Sequence, residues 1–338
     1  MSKKSFVKVI IPIALIINVN AKVRPKVIYG KDDRVPTEQT NNNLYATLAT
    51  STAAMVANKH FVKDDADNGE NLFVTIKGET LSESMNVCAD QKYANIINVG
   101  NCSGFLVAAN KLVTAGHCIP SQFQCDGSKW VFDYRMDKIQ EDGTVKISKD
   151  NVYKCKKIIN QKLSHISKND FALIELDRDV VDRDVLDFRT TGKIETGRSL
   201  VVIGHPSGLP SIIADGAIVR SNDNDFYFRT NLDTFGGNSG SAVFDATTGT
   251  VEGILVRGEK DYEFNKEKKC FEVKECKTDQ CRGEDVTRIT VIPELAPGMT
   301  PVEPAAPAFN PFKLDYNFDF SPYPSIFDDL DPSVFLKN

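Results

Sequence analysis

Three short segments of the chain carry residue types that together can perform nucleophilic chemistry: TAGHC carries His117, NDFALIEL carries Asp170 and GGNSGS carries Ser239. A serine hydroxyl is a poor nucleophile until a base removes its proton, and imidazole suits that role because its pKa lies near neutrality. A buried carboxylate would hold the imidazole in the required tautomer. The pattern therefore predicts acyl transfer with Ser239 as nucleophile, His117 as base and Asp170 as the acid that orients the base.

The glycines beside the serine predict how the developing negative charge would be stabilised. Residues without a side chain let backbone N–H groups converge on one point, and the predicted oxyanion donors are the amides of Gly237 and Ser239.

Other residues compete for the roles of base and acid. They are three histidines and two aspartates: His60, His165, His205, Asp177 and Asp179. None of these histidines lies in a comparable motif, and the sequence GHPSG around His205 is typical of a structural loop. The two aspartates follow a strand-like run, whereas Asp170 opens it. His117 and Asp170 are therefore the favoured pair.

The three motifs, in the order His, Asp, Ser, resemble those of the trypsin/chymotrypsin-like serine proteases. The resemblance extends from about Val27 to Ile292. It implies an all-β fold in which two antiparallel barrels of the chymotrypsin type hold the active site between them. It also implies a disulfide between Cys102 and Cys118, whose spacing matches the bridge that braces the histidine loop in this family.

The serine motif also indicates a branch of that family. GGNSGS is similar to the motif of the bacterial glutamyl endopeptidases, whereas animal trypsins have an aspartate in place of Asn238 that binds the new N-terminal ammonium. The sequence VIYG from Val27 is similar to the mature start of that branch, so residues 22–26 are predicted to be a short propeptide. Leu255 stands where that branch has a pocket histidine, so its glutamate preference is not carried over.

Three charged residues are candidates for substrate binding. Asp233 lies six positions before Ser239, where trypsins place the carboxylate at the base of the specificity pocket, and Glu284 resembles a residue of the pocket's other wall. A buried carboxylate would select Arg or Lys by charge-assisted pairing, and cleavage after these residues is the favoured prediction. Two alternatives stay open: Asp233 is a structural acid, or Arg257 pairs with Asp233 or Glu284 and fills the pocket or favours an acidic substrate.

The elements that must position these residues are predicted to be strands. Short runs rich in β-branched and aromatic residues alternate with turn signals such as Asn-Gly and Asp-Gly. The runs are 72–76, 104–107, 112–113, 171–176, 200–203, 226–229, 241–244, 251–256 and 286–292. No sustained 3.6-residue apolar pattern predicts a helical domain.

The two ends of the chain differ from its body. The apolar run from Val9 to Val19 follows three lysines and ends near Ala21, which is typical of a secretory signal peptide and too short for a membrane span. We predict a signal peptide at 1–21, the propeptide at 22–26, the protease domain at 27–295 and an acidic tail rich in proline and aromatic residues at 296–338. The protein is predicted to be secreted or periplasmic.

Eight cysteines in an exported chain predict disulfides rather than thiols. Cys125 and Cys155 are a second candidate pair, and the partner of Cys88 is left open. The remaining three are expected to brace an insertion at 259–282: Cys270, Cys276 and Cys281.

Composition limits the partners. The net charge is −5 and no stretch concentrates positive charge, so nucleic acid is not a predicted partner. No metal or cofactor is predicted, since the cysteines form no CxxC pair and the acidic run at 64–67 fits a solvated loop better than a calcium site. Protein or peptide substrates are predicted, without stable membrane insertion, and the tail is a candidate to dock on the body or a partner.

Two other functions compete with an active endopeptidase. A catalytically weak or inactive binding protein on the same fold would usually have lost a member of the triad, and here all three members are present. An esterase or lipase of the hydrolase fold would place its histidine last, whereas His117 comes first. The endopeptidase is therefore the preferred interpretation.

Overall fold

The computed structural model describes residues 28–62, 72–277 and 280–297. The predicted signal peptide and propeptide, Val27, the acidic run at 64–67 and the tail beyond residue 297 lie outside these described residues. Within them, no helix is long and apolar enough to cross a membrane.

Strands dominate the described part of the chain. In chain order they are β1 (Val35–Pro36), β2 (Thr52–Ala57), β3 (Phe73–Ile76), β4 (Gly100–Ala108), β5 (Lys111–Thr114), β6 (Ser128–Phe132), β7 (Val145–Ser148), β8 (Val152–Leu163), β9 (Asp170–Leu176), β10 (Ser199–Gly204), β11 (Ile212–Ser221), β12 (Tyr227–Thr230), β13 (Ala242–Asp245), β14 (Val251–Arg257), β15 (Tyr262–Asn265), β16 (Cys270–Val273) and β17 (Glu284–Arg288).

Helices are few and short. The α-helices are α1 (Asn43–Thr50), α2 (Leu81–Met85) and α3 (Gln122–Asp126). The 3₁₀ helices are Thr37–Gln39, Asn58–His60, Met136–Lys138, Lys149–Asn151, Pro206–Gly208, Ile289–Val291 and Pro293–Leu295.

The first half of the chain forms a closed barrel of six strands in the order β2-β4-β5-β9-β8-β6. Its strands pair antiparallel, and their inward side chains form a core that includes the fully buried Phe105, Trp130 and Phe132. Closure leaves no edge strand in the barrel, so every strand backbone has a partner on both sides.

The second half forms a second antiparallel barrel, in the order β11-β10-β13-β14-β17-β12, which closes because β12 also pairs with β11. Strand β1 adds to β11 outside the ring. Phe228, Val243 and Val286 are among the residues that fill this barrel. The two antiparallel barrels are the fold that the motifs implied.

Several strands escaped the sequence-based prediction. Strand β8 is the longest described strand at 12 residues, yet its lysine-rich sequence VYKCKKIINQKL lacks an apolar run, because much of it faces solvent. The predicted run at 286–292 is correct only in its first part, since β17 ends at Arg288 and a 3₁₀ turn follows.

Four disulfides join the eight cysteines, and no cysteine of the described chain is free. Cys102 bonds Cys118, the bridge that the resemblance implied, and Cys125 bonds Cys155. The insertion at 259–282 contains the β15–β16 hairpin, and Cys276 bonds Cys281 within it. Cys270 instead bonds Cys88, so this hairpin is tied to a loop of the first half of the chain.

Candidate active site

His117 and Asp170 meet where two strands of the first barrel meet. Strands β5 and β9 pair antiparallel with Thr114 opposite Ala172, so the end of β5 lies beside the start of β9. Asp170 Oδ2 accepts a hydrogen bond from His117 Nδ1 at 2.9 Å, and its Oδ1 accepts one from the His117 backbone N–H at 3.1 Å. Asp170 is 2% exposed, whereas the imidazole remains partly exposed. The carboxylate therefore holds the ring with its Nδ1–H inward and leaves Nε2 for other chemistry.

Arg257 is a further neighbour of this carboxylate. Its Nη1 lies 3.6 Å from Asp170 Oδ2, its Nη2 donates to the Lys168 carbonyl at 2.8 Å, and its Nε lies 3.3 Å from Asp285 Oδ2. The hypothesis that Arg257 pairs with Asp233 or Glu284 is wrong. The register between β14 and β17 shifts between Leu255 and Arg257, and this irregularity sets Arg257 opposite Asp285.

Ser239 lies in the turn before β13, and this turn packs directly against the first barrel. Gly240 has a φ of +90°, and a Cβ there would overlap the Ser103 carbonyl oxygen and the Thr114 hydroxyl. The Cys118 sulfur lies 3.7 Å from the Ser239 carbonyl oxygen. Thr114 and Cys118 flank the histidine turn on both sides, so the turn that carries Ser239 packs against the segment that carries His117.

Buried Ser103 binds the serine turn through two hydrogen bonds. Its Oγ donates to the Gly237 carbonyl at 2.8 Å, and its backbone N–H donates to the Ser239 carbonyl at 2.8 Å. The Ser103 hydroxyl in turn accepts a hydrogen bond from His205 N–H at 3.0 Å. The residue follows Cys102 in the sequence, so the Cys102–Cys118 disulfide anchors it beside the histidine turn.

The other peptide groups of the turn are also bonded. The Gly236 carbonyl accepts from Ser207 N–H, and the Asn238 carbonyl accepts from Ser241 N–H at 2.8 Å. Further donors are satisfied as follows: Gly236 N–H to Asp261 Oδ2 at 2.6 Å, Asn238 N–H to the Phe235 carbonyl at 3.0 Å, and Gly240 N–H to the Leu255 carbonyl at 2.7 Å.

Two amides of the turn stay unbonded. In a trans peptide the C=O and the following N–H point in opposite directions. Because the Gly236 and Asn238 carbonyls point toward their donors, the N–H groups of Gly237 and Ser239 point the other way. Neither N–H has a hydrogen-bond partner among the described residues. These are the two amides that the sequence predicted as oxyanion donors.

The predicted pocket acids lie on either side of Tyr29. Asp233 Oδ1 accepts from Tyr29 N–H at 2.7 Å, while its buried Oδ2 has no partner within the described chain. Glu284 accepts from the Thr234 hydroxyl at 2.9 Å and from Tyr29 Oη at 3.4 Å. A Cβ on Gly258 would overlap the Glu284 carboxylate, so this carboxylate lies directly against the backbone just beyond β14.

Burial changes the chemistry of both acids. Asp233 is 4% exposed and Glu284 is 3% exposed. Desolvation raises the pKa of Asp233 to about 8, and it raises the pKa of Glu284 to about 8 as well. A cation entering this region would favour the ionised forms, because each carboxylate now lacks a close positive partner that would offset its burial.

The remaining histidines have other surroundings. His205 is 1% exposed, its Nδ1 lies 3.0 Å from the Leu209 carbonyl, and burial lowers its pKa to about 4. It is a neutral structural residue at neutral pH, as its loop sequence predicted. His165 is exposed, and His60 Nδ1 lies 2.9 Å from the Lys77 carbonyl.

Two groupings of acid, histidine and cysteine side chains lie close together in the described chain. One groups His117 with Cys102 and Cys118, and the other groups Cys88 with Asp90 and Glu272. The cysteines of both are oxidised to disulfides, so neither grouping presents a thiolate.

Several residues that build the site had no signal in the sequence analysis. They are Ser103, Ser207, Thr234, Asp261 and Tyr262. Ser103 stands in the motif CSGFLV, so its position beside a predicted disulfide was the only available clue. The others act through contacts between segments that are distant in sequence.

Residues 102–254 match the family described as trypsin-like peptidase domain. No curated protein matches the chain in sequence.

Solved structures to which the chain is similar include a Glu endopeptidase in complex with MPD, with 16% identity, a TM-score of 0.43 and coverage of 78% of this chain and 94% of that one. The active form of the Rv3671c protease from M. tuberculosis has 14% identity, a TM-score of 0.40 and coverage of 83% and 90%. Human heparin binding protein has 15% identity, a TM-score of 0.41 and coverage of 57% and 82%.

The matched residues include Ser239 and run through both halves of the chain. They span the three motifs in their order and most strands of the two barrels. This match supports a trypsin-like peptidase domain within the chain.

Proposed function

We propose that the protein is a secreted serine endopeptidase that hydrolyses peptide bonds with Ser239 as nucleophile, His117 as general base and Asp170 as the acid that orients it. One observation carries the proposal. The turn around Ser239 has every backbone polar group from Gly236 N–H to Gly240 N–H bonded except the N–H groups of Gly237 and Ser239, and it packs beside the His117–Asp170 pair.

The first half of the proposed reaction forms an acyl-enzyme. Ser239 Oγ attacks the carbonyl carbon of the scissile bond while its proton moves to His117 Nε2, and Asp170 stabilises the imidazolium that forms. The carbonyl oxygen becomes an oxyanion and accepts hydrogen bonds from the Gly237 and Ser239 amides. The C–N bond then breaks as His117 returns the proton to the leaving amine.

The second half releases the new carboxyl terminus. Water replaces the departed amine, gives a proton to His117 Nε2 and attacks the ester carbonyl. The same two amides hold the second oxyanion. The bond to Ser239 Oγ breaks, the oxygen regains its proton from His117, and the enzyme returns to its starting state.

We extend the proposal to export and maturation. Four disulfides in the described chain favour an oxidising compartment. They support the prediction of a signal peptide at residues 1–21 and thus secretion or a periplasmic location. Removal of residues 22–26 would then give a mature start at Val27.

For specificity we propose cleavage after Arg or Lys, with Glu284 as the carboxylate that selects the basic side chain. Glu284 lies against Gly258 and beside Thr234, five positions before Ser239. Asp233 lies on the far side of Tyr29, which occupies one of its oxygens. Asp233 therefore lies behind Tyr29 and does not form the direct contact.

The specificity proposal has a pH signature. The pKa of Glu284 is raised to about 8, mainly by burial, so in the free enzyme the carboxyl group is largely protonated at neutral pH. The kcat/KM for a substrate with Arg before the scissile bond should rise as pH increases through about 8, because the charged form binds the guanidinium. Glu284→Gln should remove this rise and lower kcat/KM for Arg substrates roughly 10- to 100-fold, the size of a charge-assisted pair. Asp233→Asn is the matched variant, and a larger loss there would transfer the role to Asp233.

The central experiment compares the protein starting at Val27 with its Ser239→Ala variant. Both are incubated with a mixed peptide library, and the cleavage sites are read by mass spectrometry. Cuts after Arg or Lys that disappear in the variant support both the nucleophile and the specificity. Cuts after other residues that disappear in the variant keep the nucleophile and reject the specificity. Equal cleavage by the variant, or no cleavage by folded, trimmed protein, rejects the proposed function.

A further inference from the structure

The β15–β16 hairpin of the insertion at 259–282 reaches the serine turn. It is fixed to the first half of the chain by the Cys88–Cys270 disulfide and by a short ladder beside it. Cys88 N–H donates to the Phe271 carbonyl at 2.9 Å, and Phe271 N–H donates to the Asn86 carbonyl at 2.9 Å. The hairpin is therefore attached to the first half of the chain by one disulfide and two backbone hydrogen bonds.

Asp261, just before β15, contacts the serine turn through its carboxylate. Its Oδ2 accepts the Gly236 N–H at 2.6 Å, and its own carbonyl accepts from Lys274 N–H at 2.9 Å. A hydrogen bond from an amide to a carboxylate is stronger than one between neutral groups. Asp261 therefore fixes the first peptide group of the turn that leads to Ser239.

Tyr262 contacts the same turn from its other side through Ser207. The Tyr262 and Ser207 hydroxyls lie 2.6 Å apart, and Ser207 N–H donates to the Gly236 carbonyl. Ser207 has a φ of +52°, an unfavourable value for a residue with a side chain, so its conformation depends on its neighbours. The Tyr262 ring packs on Phe235 with centroids 5.5 Å apart, which fixes the hydroxyl in place.

One hairpin thus fixes both polar groups of Gly236. Asp261 binds the N–H directly, and Tyr262 acts on the carbonyl through Ser207. The Gly236 carbonyl and the Gly237 N–H belong to the same peptide group, so the bond to Ser207 sets the direction of the Gly237 N–H. If the peptide rotated, this donor would leave the position where the oxyanion forms.

We infer that Asp261 and Tyr262 are positioning residues for the oxyanion donors, and that the insertion hairpin is a structural part of the catalytic centre. The inference rests on the proposed function, because it assigns these residues to the support of the Gly237 amide in acyl transfer. Neither residue touches the reacting atoms. Their contribution should therefore appear in the stabilisation of the transition state and not in the binding of substrate.

The charge of Asp261 gives the support a dependence on pH. Burial raises the pKa of the Asp261 carboxyl to about 7. The hydrogen bond from Gly236 N–H and the charge of Arg34 act in the opposite direction, because both favour the charged form. The titratable groups that interact with it are Arg34, Glu284 and Tyr262. Above pH 7 the bond to Gly236 is charge-assisted, and below pH 7 a neutral carboxyl holds the same N–H more weakly.

Asp261→Asn is the direct test, because asparagine keeps the shape and one acceptor oxygen but not the charge. At pH 8.5 we expect kcat to fall about tenfold with KM unchanged within about twofold, a fraction of the roughly 100- to 1000-fold lost when an oxyanion donor itself is removed. The inhibition constant of a peptide aldehyde, which forms a tetrahedral adduct with the serine, should rise in parallel with the loss in kcat. Glu263→Gln, on the same hairpin with an exposed side chain, is the control and should change neither quantity.

The pH profile separates positioning from a general structural defect. The ratio of wild-type to Asp261→Asn kcat should approach one below about pH 6, where the native carboxyl is also neutral. Tyr262→Phe keeps the ring on Phe235 and should lower kcat about three- to tenfold without this pH dependence, and it serves as the test if the Asp261 variant does not fold.

Three results would overturn the inference: a rise in KM with constant kcat, a kcat ratio that stays constant with pH, or unchanged kinetics in both variants. The proposed function fails separately, because it is rejected by activity that survives Ser239→Ala or by the absence of cleavage by the folded, trimmed protein. Cleavage that is lost in Ser239→Ala yet unaffected in the two hairpin variants leaves the function standing and rejects the role of the hairpin.

Discussion

The two sides of the candidate active site are built in different ways. On the first barrel, strand pairing brings His117 to Asp170, since β5 and β9 are neighbours and both residues lie near the point where those strands meet. On the second barrel, the Ser239 turn is held by hydrogen bonds from four separate segments. The donors and acceptors come from Ser103, Ser207, Leu255 and Asp261.

The difference predicts where distant substitutions matter. A ladder of strand hydrogen bonds is cooperative and tolerates changes at single side chains, so the histidine side should respond mainly to its own two residues. The serine side depends on individual contacts between loops, so single changes outside its motif should alter the direction of its amides.

The largest effect is expected on the histidine side itself. Asp170→Asn should lower kcat by about four orders of magnitude, because an amide can donate to Nδ1 and favour the wrong tautomer of His117. Folding should persist, since the amide oxygen can still accept the His117 backbone N–H. Asp179→Asn, at an exposed aspartate that competed for the same role in the sequence, is the control in a peptide-cleavage assay. A comparable loss in the control, or a mild effect in Asp170→Asn, would refute the assignment.

An intermediate effect is expected where the serine turn meets the first barrel. Gly240→Ala combines a strained φ with overlap against Ser103 and Thr114, so we expect a loss of about 3 kcal/mol or more in unfolding free energy and a large loss of kcat. Gly143→Ala is the matched control, because Gly143 has a φ of +79° with no atom within 4 Å of its Cβ position. Strain alone should cost about 1 kcal/mol there, without loss of kcat. Equal urea midpoints for the two variants would show that the packing of Gly240 on the first barrel contributes nothing.

The same contrast explains what the sequence could predict. TAGHC and NDFALIEL end and begin strands, so strand patterns and motifs indicated their residues together. The β-rich body and the order of the motifs were enough to imply two barrels. The support of the serine turn could not be predicted, because Asp261 and Gly236 are joined by the path of an insertion and not by any repeat or spacing.

The contacts of Arg257 depend on a local irregularity of strand β14 that the sequence did not reveal. The place of Arg257 near the pocket strand made a pocket role reasonable, and a regular ladder would have placed its side chain on the same face as that of Leu255. The shift in register between these two residues turns Arg257 toward Asp285 and Asp170 instead. Composition does not predict one extra residue in a strand, yet this residue places the charge of Arg257 beside Asp285 and Asp170.

The smallest predicted effect tests that reassignment. Asp285 is 1% exposed and has three arginine partners, Arg229, Arg257 and Arg282, so the loss of one leaves the buried carboxylate paired. Arg257→Gln and Arg229→Gln remove equivalent partners of Asp285, but only Arg257 also lies near Asp170. Both variants should lose about 1 kcal/mol of unfolding free energy or less. Only Arg257→Gln should change kcat, by roughly two- to fivefold, because only this variant removes a neighbour of the Asp170 carboxylate. The preference for the residue before the scissile bond should stay constant in both, and a switch in that preference in Arg257→Gln would return this residue to the substrate pocket.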